Sequence, residues 1–204
     1  MTFCGGLNKF RRDDCDVAIE VGGKWFHGHR TILASASGFF DSMLGKNFDA
    51  DAPFENIVVT LPNIDVISFE LVLEFIYSGR NPPLNRSNLL GLLSWSDFLL
   101  LDTINDLCVE YIRKNLSSFT STEVFDLYCF ACGTNNLVLI DSLSKCIAFS
   151  YMNEFLCTDF ALNIDYYRFS LLLEKLDKSP RRYYLCENFL LDAIVRWVAH
   201  DSKE

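Results

Sequence analysis

The segment Val17-Ala18-Ile19-Glu20-Val21-Gly22-Gly23-Lys24-Trp25-Phe26-His27 restricts the fold most. Val17, Ile19 and Val21 alternate with Ala18 and Glu20, the period of a half-buried strand. Gly22-Gly23 permits positive φ at both central positions of a tight turn, and Lys24 to His27 can return as the partner strand. Arg30 to Ser35 and Gly38 to Leu44 read as two short helices broken near Ser37-Gly38. Ile57-Val58-Val59-Thr60-Leu61 is rich in β-branched residues and ended by Pro62, which predicts a third strand.

Beyond Pro62 the pattern turns helical. Phe69, Val72, Leu73 and Ile76 share one helix face. Gly79 stands where a helix terminates, and Pro82-Pro83 prevents its resumption. Leu89 to Leu101 is apolar on most sides and reads as a central helix. Ile104, Leu107, Cys108, Tyr111 and Ile112 form a further stripe, with Thr103 and Asp106 as its expected cap. The polar stretch Leu116 to Thr122 is the expected domain boundary, and Thr120 with Glu123 spells a capping box. Val124, Leu127, Tyr128 and Ala131 begin a wholly helical region. Helices are expected over Leu137–Phe149, Met152–Cys157 and Asp165–Lys175, with a last stripe through Leu190, Ala193, Ile194, Trp197 and Val198. The expected class is α+β: a small sheet plus helices in residues 1–117, then stacked helical hairpins in 118–204.

Composition narrows the function. The formal net charge of −9 argues against a general nucleic-acid or anionic-membrane surface, both of which attract basic patches. No uncharged apolar run approaches about 18 residues, so no transmembrane helix is expected. The start, Met1-Thr2-Phe3-Cys4-Gly5-Gly6, lacks the pattern of a secretory signal. Most of the eight cysteines sit in apolar runs, which suits a reducing compartment, the cytoplasm or the nucleus.

Candidate chemistry is sparse. His27 and His29 lack a nearby cysteine or carboxylate to complete a zinc set. His29 reads instead as a hydrogen-bonded residue at the strand–helix junction. Cys129-Phe130-Ala131-Cys132 has no second pair and falls inside a helical pattern. Gly22-Gly23-Lys24 is followed by Trp25, where a phosphate loop needs Ser or Thr. No activated nucleophile is evident, so neither an enzyme nor a cofactor is expected.

The motif text carries a resemblance. Cys15-Asp16-Val17 is followed by Phe26-x-x-His29-Arg30-x-x-Leu33-Ala34-x-x-Ser37-x-x-Phe40, then by Phe75-Ile76-Tyr77-Ser78-Gly79 and Ser96-Asp97-Phe98-Leu99. This resembles a BTB (POZ) domain. Glu154-Phe155-Leu156 and Glu187…Ala193-Ile194-Val195-Arg196-Trp197-Val198 resemble a BACK domain, in the order of kelch-like proteins. The resemblance implies a BTB/POZ domain over 1–117 and the N-terminal part of a BACK domain over 118–204, within a longer protein. It implies no enzyme activity but a homodimeric substrate adaptor of a cullin-3 RING ubiquitin ligase. The substrate would be held by a region outside these residues, such as a kelch propeller. Asp16 and Arg30 match the charged pair such domains bury near their dimer interface, joined by Leu7 and Phe10 from a short N-terminal segment. Met43, Phe48, Asp49 and Tyr77 match positions that contact the N-terminal domain of cullin-3. One departure stands out: relatives carry glutamate two residues after the hydrophobic knob, and here Phe48-Asp49 is followed by Ala50. The alternative is therefore a BTB self-association scaffold or transcriptional co-regulator that binds no cullin.

Overall fold

Gly22 and Gly23 have φ of 55° and 79°, the left-handed values that a two-residue hairpin turn requires. They join β1 (Val17–Val21) to β2 (Lys24–Gly28), whose register pairs Val21 with Lys24 and Val17 with Gly28. In this computed structural model the described residues are 15–44, 57–62, 64–162, 164–178 and 187–201. They fall into two units, Met1–Tyr111 and Ile112–Glu204. The expected boundary after Ser117 lies within a 3₁₀ turn, Leu116–Ser118.

In the first unit β3 (Ile57–Thr60) lies parallel to β1, giving the sheet order β2-β1-β3. Val17, Ile19, Val21, Phe26 and Val59 are buried, the alternation the sequence announces. Helices α1 (Arg30–Ala36) and α2 (Gly38–Leu44) break at Ser37, as expected. The Ser37 hydroxyl accepts from Phe40 N–H, capping α2, and donates to the Leu99 carbonyl at 2.6 Å. Helix α3 (Val66–Ser78) starts at the Asp65 cap and stops at Gly79. Its Phe69 packs on Phe26 at 5.1 Å and on Trp95 at 4.7 Å between ring centroids.

Helix α4 (Arg86–Phe98) differs from the expected span of Leu89–Leu101 at both ends. Asn85 and Asn88 cap its start reciprocally, and Asn88 also donates to the Pro83 carbonyl, so a polar turn precedes the apolar stripe. Helix α5 (Asp102–Asn115) is a second correction. The Leu101 carbonyl accepts from Ile104 and Asn105 N–H, which puts Thr103 and Asp106 inside the helix and not at its cap.

The second unit is helical throughout its described residues: α6 (Ser121–Gly133), α7 (Leu137–Cys146), α8 (Met152–Leu156), α9 (Asp159–Leu162), α10 (Tyr166–Asp177) and α11 (Glu187–Asp201). The Thr120–Glu123 capping box opens α6 as the sequence indicates. The single helix expected over Leu137–Phe149 widens into a π-helical turn at Ile147–Tyr151. Phe155 collects Phe125 and Tyr128 at centroid distances of 5.2 and 6.0 Å. On α11 Ala193 and Trp197 are buried, whereas Val198 is exposed, contrary to the expected stripe. Trp197 stacks on Phe169 at 4.9 Å and donates its indole N–H to the Ile164 carbonyl at 3.0 Å, and these two contacts set the rotation of α11. Among the described residues no helix is long and apolar enough to cross a membrane, and no cluster of three metal-ligating side chains occurs.

Candidate functional site

The first unit gathers the sequence-predicted residues where β1 and β2 deliver the chain into α1. A helix start leaves backbone N–H groups without intrahelical partners. At α1 the cap residue His29 satisfies none of them with its own side chain. Two residues distant in sequence supply the acceptors. Asp16 Oδ1 accepts from Arg30 N–H at 2.7 Å, and Tyr77 Oη accepts from His29 N–H at 2.7 Å. Asp16 is itself placed at the start of the central strand, its N–H donating to the Gly28 carbonyl and its own carbonyl accepting from Ile57 N–H.

Asp16 and Arg30 are therefore brought together, first through the backbone. Their side chains approach more loosely, with Arg30 Nε 3.8 Å from Asp16 Oδ2 and the side chains 18% and 29% exposed. The carboxylate is a cap from outside the helix as much as an ion-pair partner. Beside Arg30 on α1, Ile32 is exposed.

Tyr77 is half-buried on the last turn of α3. Burial raises its phenol above the ordinary range, opposed by the hydrogen bond from His29. Its oxygen also lies 3.2 Å from His29 Nδ1. The approach needs Gly28: a Cβ there would meet Leu33 Cδ1 at 2.9 Å and Tyr77 Oη at 3.1 Å. His29 is thus the hydrogen-bonded junction residue that the sequence suggests. Met43 is exposed on α2, next to buried Leu44. Leu7, Phe10, Phe48 and Asp49 lie outside the described residues.

Sequence reasoning missed two features here: Asp16 acting as a helix cap, and the tether between His29 and Tyr77. Neither has a short-range signal, because the latter pair lies 48 positions apart. Cysteines of the two units behave alike. Burial pushes the Cys108 thiol up to about 12 and the Cys129 thiol up to about 11, so both stay neutral. Cys129 and Cys132 lie within α6, as packing residues would.

The class these observations define is a small mixed sheet-and-helix domain presenting a polar junction and exposed apolar side chains, without an assembled catalytic set among the described residues. The model of the BTB/POZ domain family matches residues 7–116, more than half of the chain, and the chain belongs to that family of protein-interaction domains. It is similar over 98% of its length to Kelch-like protein 7 of Gallus gallus, at 27% identity, and to Kelch-like protein 7 of Mus musculus and Homo sapiens, each at 26%. The chain spans 32% of the length of each of these curated relatives. Among solved structures it is similar to the BTB domain of human gigaxonin, at 28% identity and TM-score 0.43, covering 52% of this chain and 83% of that one. It is also similar to the BTB domain of zebrafish PATZ1, at 24% identity and TM-score 0.42, covering 50% and 82%.

Proposed function

We propose that this chain is the self-pairing adaptor portion of a cullin-3 ubiquitin ligase, with residues 1–117 as the pairing BTB head and 118–204 as a BACK region. The observation that carries this reading is the similarity to kelch-like relatives over 98% of the chain, which runs through the helical second unit as well as the head. In this reading Asp16, Arg30, Leu7 and Phe10 line the face that meets a second copy. The exposure of Ile32 and the partial exposure of Asp16 and Arg30 support that face, since closing it would remove apolar surface from water and bury the pair. Exposed Met43, together with Phe48, Asp49 and Tyr77, forms the cullin contact, with Phe48 as an aromatic anchor. Substrate is held by a region outside these residues. The work is done inside the cell, in the cytoplasm or nucleus.

Light scattering of the purified chain tests the pairing: a dimer mass is expected, and a monomer at every concentration removes the paired face. Titration calorimetry against the N-terminal domain of cullin-3 tests the rest. Heat with a dissociation constant of micromolar or tighter is expected, and no heat removes the ligase assignment.

Ala50 in place of the family glutamate favours one further reading, a self-associating scaffold without a cullin. A lost charged hydrogen bond weakens an interface by about 1.5–3 kcal/mol. If Ala50→Glu binds cullin-3 and the natural chain does not, the scaffold reading replaces the ligase one.

A further inference from the structure

We propose that Leu100 is an anchor of the face through which two copies of this chain pair, an inference that rests on the self-pairing reading above and names a residue that holds the pair together.

A leucine stands here where the backbone suits glycine. Helix α4 ends with the Leu101 N–H bonded to the Ser96 carbonyl at 2.8 Å and the Leu100 N–H bonded to the Asp97 carbonyl at 3.3 Å. This closure takes a left-handed residue just past the helix, and Leu100 supplies it with a φ of 56°. Glycine adopts that conformation freely, whereas a Cβ crowds the following carbonyl. Burial within one copy does not offset the strain. Leu99 and Leu101 are buried, yet Leu100 between them is 61% exposed. Its apolar side chain serves neither the turn nor the core of a single copy.

The side chain is nevertheless held in place. The Ser37 hydroxyl donates to the Leu99 carbonyl at 2.6 Å, which ties the exit of α4 to the break between α1 and α2. Gly38, the first residue of α2, lies against Leu100: a Cβ there would meet Leu100 Cδ1 at 3.3 Å and its Cβ at 3.5 Å. Gly38 is exposed, as are Ala36 and, one helical turn earlier, Ile32. Leu100, Gly38, Ala36 and Ile32 make an uncharged shelf, with exposed Asp41 and Asp97 one turn away on α2 and α4 as its rim. An apolar centre with a polar rim is the anatomy of a protein interface.

The occupant is a second copy of the chain. The shelf continues the pairing face, because Arg30, Ile32 and Ala36 belong to one short helix. A stable interface takes about 800 Å² from each partner, or about 20–30 residues. Asp16, Arg30, Ile32, Leu7 and Phe10 fall far short of that, and the run along α1 to Leu100 extends the same patch. Each copy carries a net charge of −9, so two copies approach best where the residues that meet carry none. A two-fold axis through this face buries Leu100 twice.

The test is fluorescence-detected sedimentation of the whole chain over a dilution series, with urea unfolding of the diluted, unpaired form beside it. Leu100→Gly is expected to raise the dimer dissociation constant by at least about tenfold. Its urea midpoint is expected to equal or exceed that of the natural chain, since glycine relieves the backbone. Leu100→Met, which keeps the apolar bulk, is expected to pair within about threefold of the natural chain. A Leu100→Gly chain that pairs as tightly as the natural one overturns the proposal. So does a lowered urea midpoint in Leu100→Gly, which would show that the leucine serves the single copy, or a Leu100→Met chain that pairs as weakly as Leu100→Gly. If Leu100→Gly does not fold, Leu100→Asn, which tolerates the same backbone, is measured against the same outcomes. A natural chain that is monomeric at every concentration removes the pairing reading itself and this proposal with it, so the two failures are told apart.

Discussion

The two units bury their polar side chains differently. Among the described residues, Ser37, Ser68, Asn88 and Ser96 are buried in the first unit, against Ser144 in the second. Ser37 ties α2 to Leu99, 62 positions away, whereas Ser144 bonds the Asp141 carbonyl in its own helix. A buried polar tether dictates residue type, because an apolar replacement strands its partner without water or a hydrogen bond. A seam such as Phe125–Tyr128–Phe155 asks chiefly for volume and shape. The first unit is therefore written in specific residues, and the second in a periodicity that many residues satisfy.

The largest expected difference comes from deleting one polar atom from a buried aromatic in each unit. Trp95 donates its indole N–H to the Asp65 carbonyl at 2.7 Å and is fully buried. Trp95→Phe leaves that carbonyl without its partner beside a void and is expected to cost about 2–4 kcal/mol. The Tyr128 hydroxyl is buried against the Cys132 thiol, a weak partner, outside hydrogen-bond geometry. Tyr128→Phe is expected to change stability by less than about 0.5 kcal/mol. Hydrogen exchange with mass spectrometry, which reports each unit separately, compares the two. Equal costs would break the contrast.

Ser37→Ala comes next. It removes the cap of α2 and the donor to Leu99 together, for an expected loss of about 1–3 kcal/mol in urea unfolding. A neutral result would mean that the first unit tolerates apolar replacement as the second does.

The junction sharpens the comparison further. Asp16→Ala removes the acceptor for Arg30 N–H and should cost about 1–2 kcal/mol, whereas Asp16→Asn keeps an acceptor and should cost less. Arg30→Ala leaves the backbone bond in place and is expected to destabilise the folded chain less than Asp16→Ala. The reverse order would show that charge, and not capping, governs the site. Thermal melts of the three variants give the order.

The smallest effect is on the surface of the second unit. Asp141 receives Lys145 at 2.6 Å and Lys175 at 2.8 Å, and these bonds hold its carboxyl below the usual carboxylate range. A depressed folded value means stability that is present above the unfolded carboxylate pKa of about 3.9 and lost as pH falls through the folded value. The half-exposed site is screened, so the contribution is small. The difference between the natural chain and Asp141→Asn in urea unfolding should be present near neutral pH and vanish in acid.

Much of this was legible in advance. The hairpin turn, the third strand, the break at Ser37, the stop at Gly79 and the Thr120–Glu123 box are all local signals, and all appear in the structure. The starts of α4 and α5 were misread because apolar periodicity marks where a helix is buried, not where its first turn begins. Asn85 and the Leu101 carbonyl begin those turns earlier than the stripe does. Val198 was misplaced because a stripe can be rotated by a residue, and the partner of Trp197 decides which rotation is kept. Of the site, Asp16, Arg30 and Tyr77 were recognisable by type and position, but not as the acceptors and donors of one helix start.

By itself the sequence determined the elements: which stretches alternate, which repeat with a helical period, and where turns and caps interrupt them. These are properties of residues a few positions apart, and backbone sterics and short-range hydrogen bonds act at that range. Only the tertiary structure decided that β3 lies parallel beside β1, that Tyr77 reaches the start of α1, and that Leu100 lies against Gly38. Those partners are far apart along the chain, and they meet because burying the apolar faces of sheet and helices leaves one arrangement in which the polar groups at their ends are also satisfied.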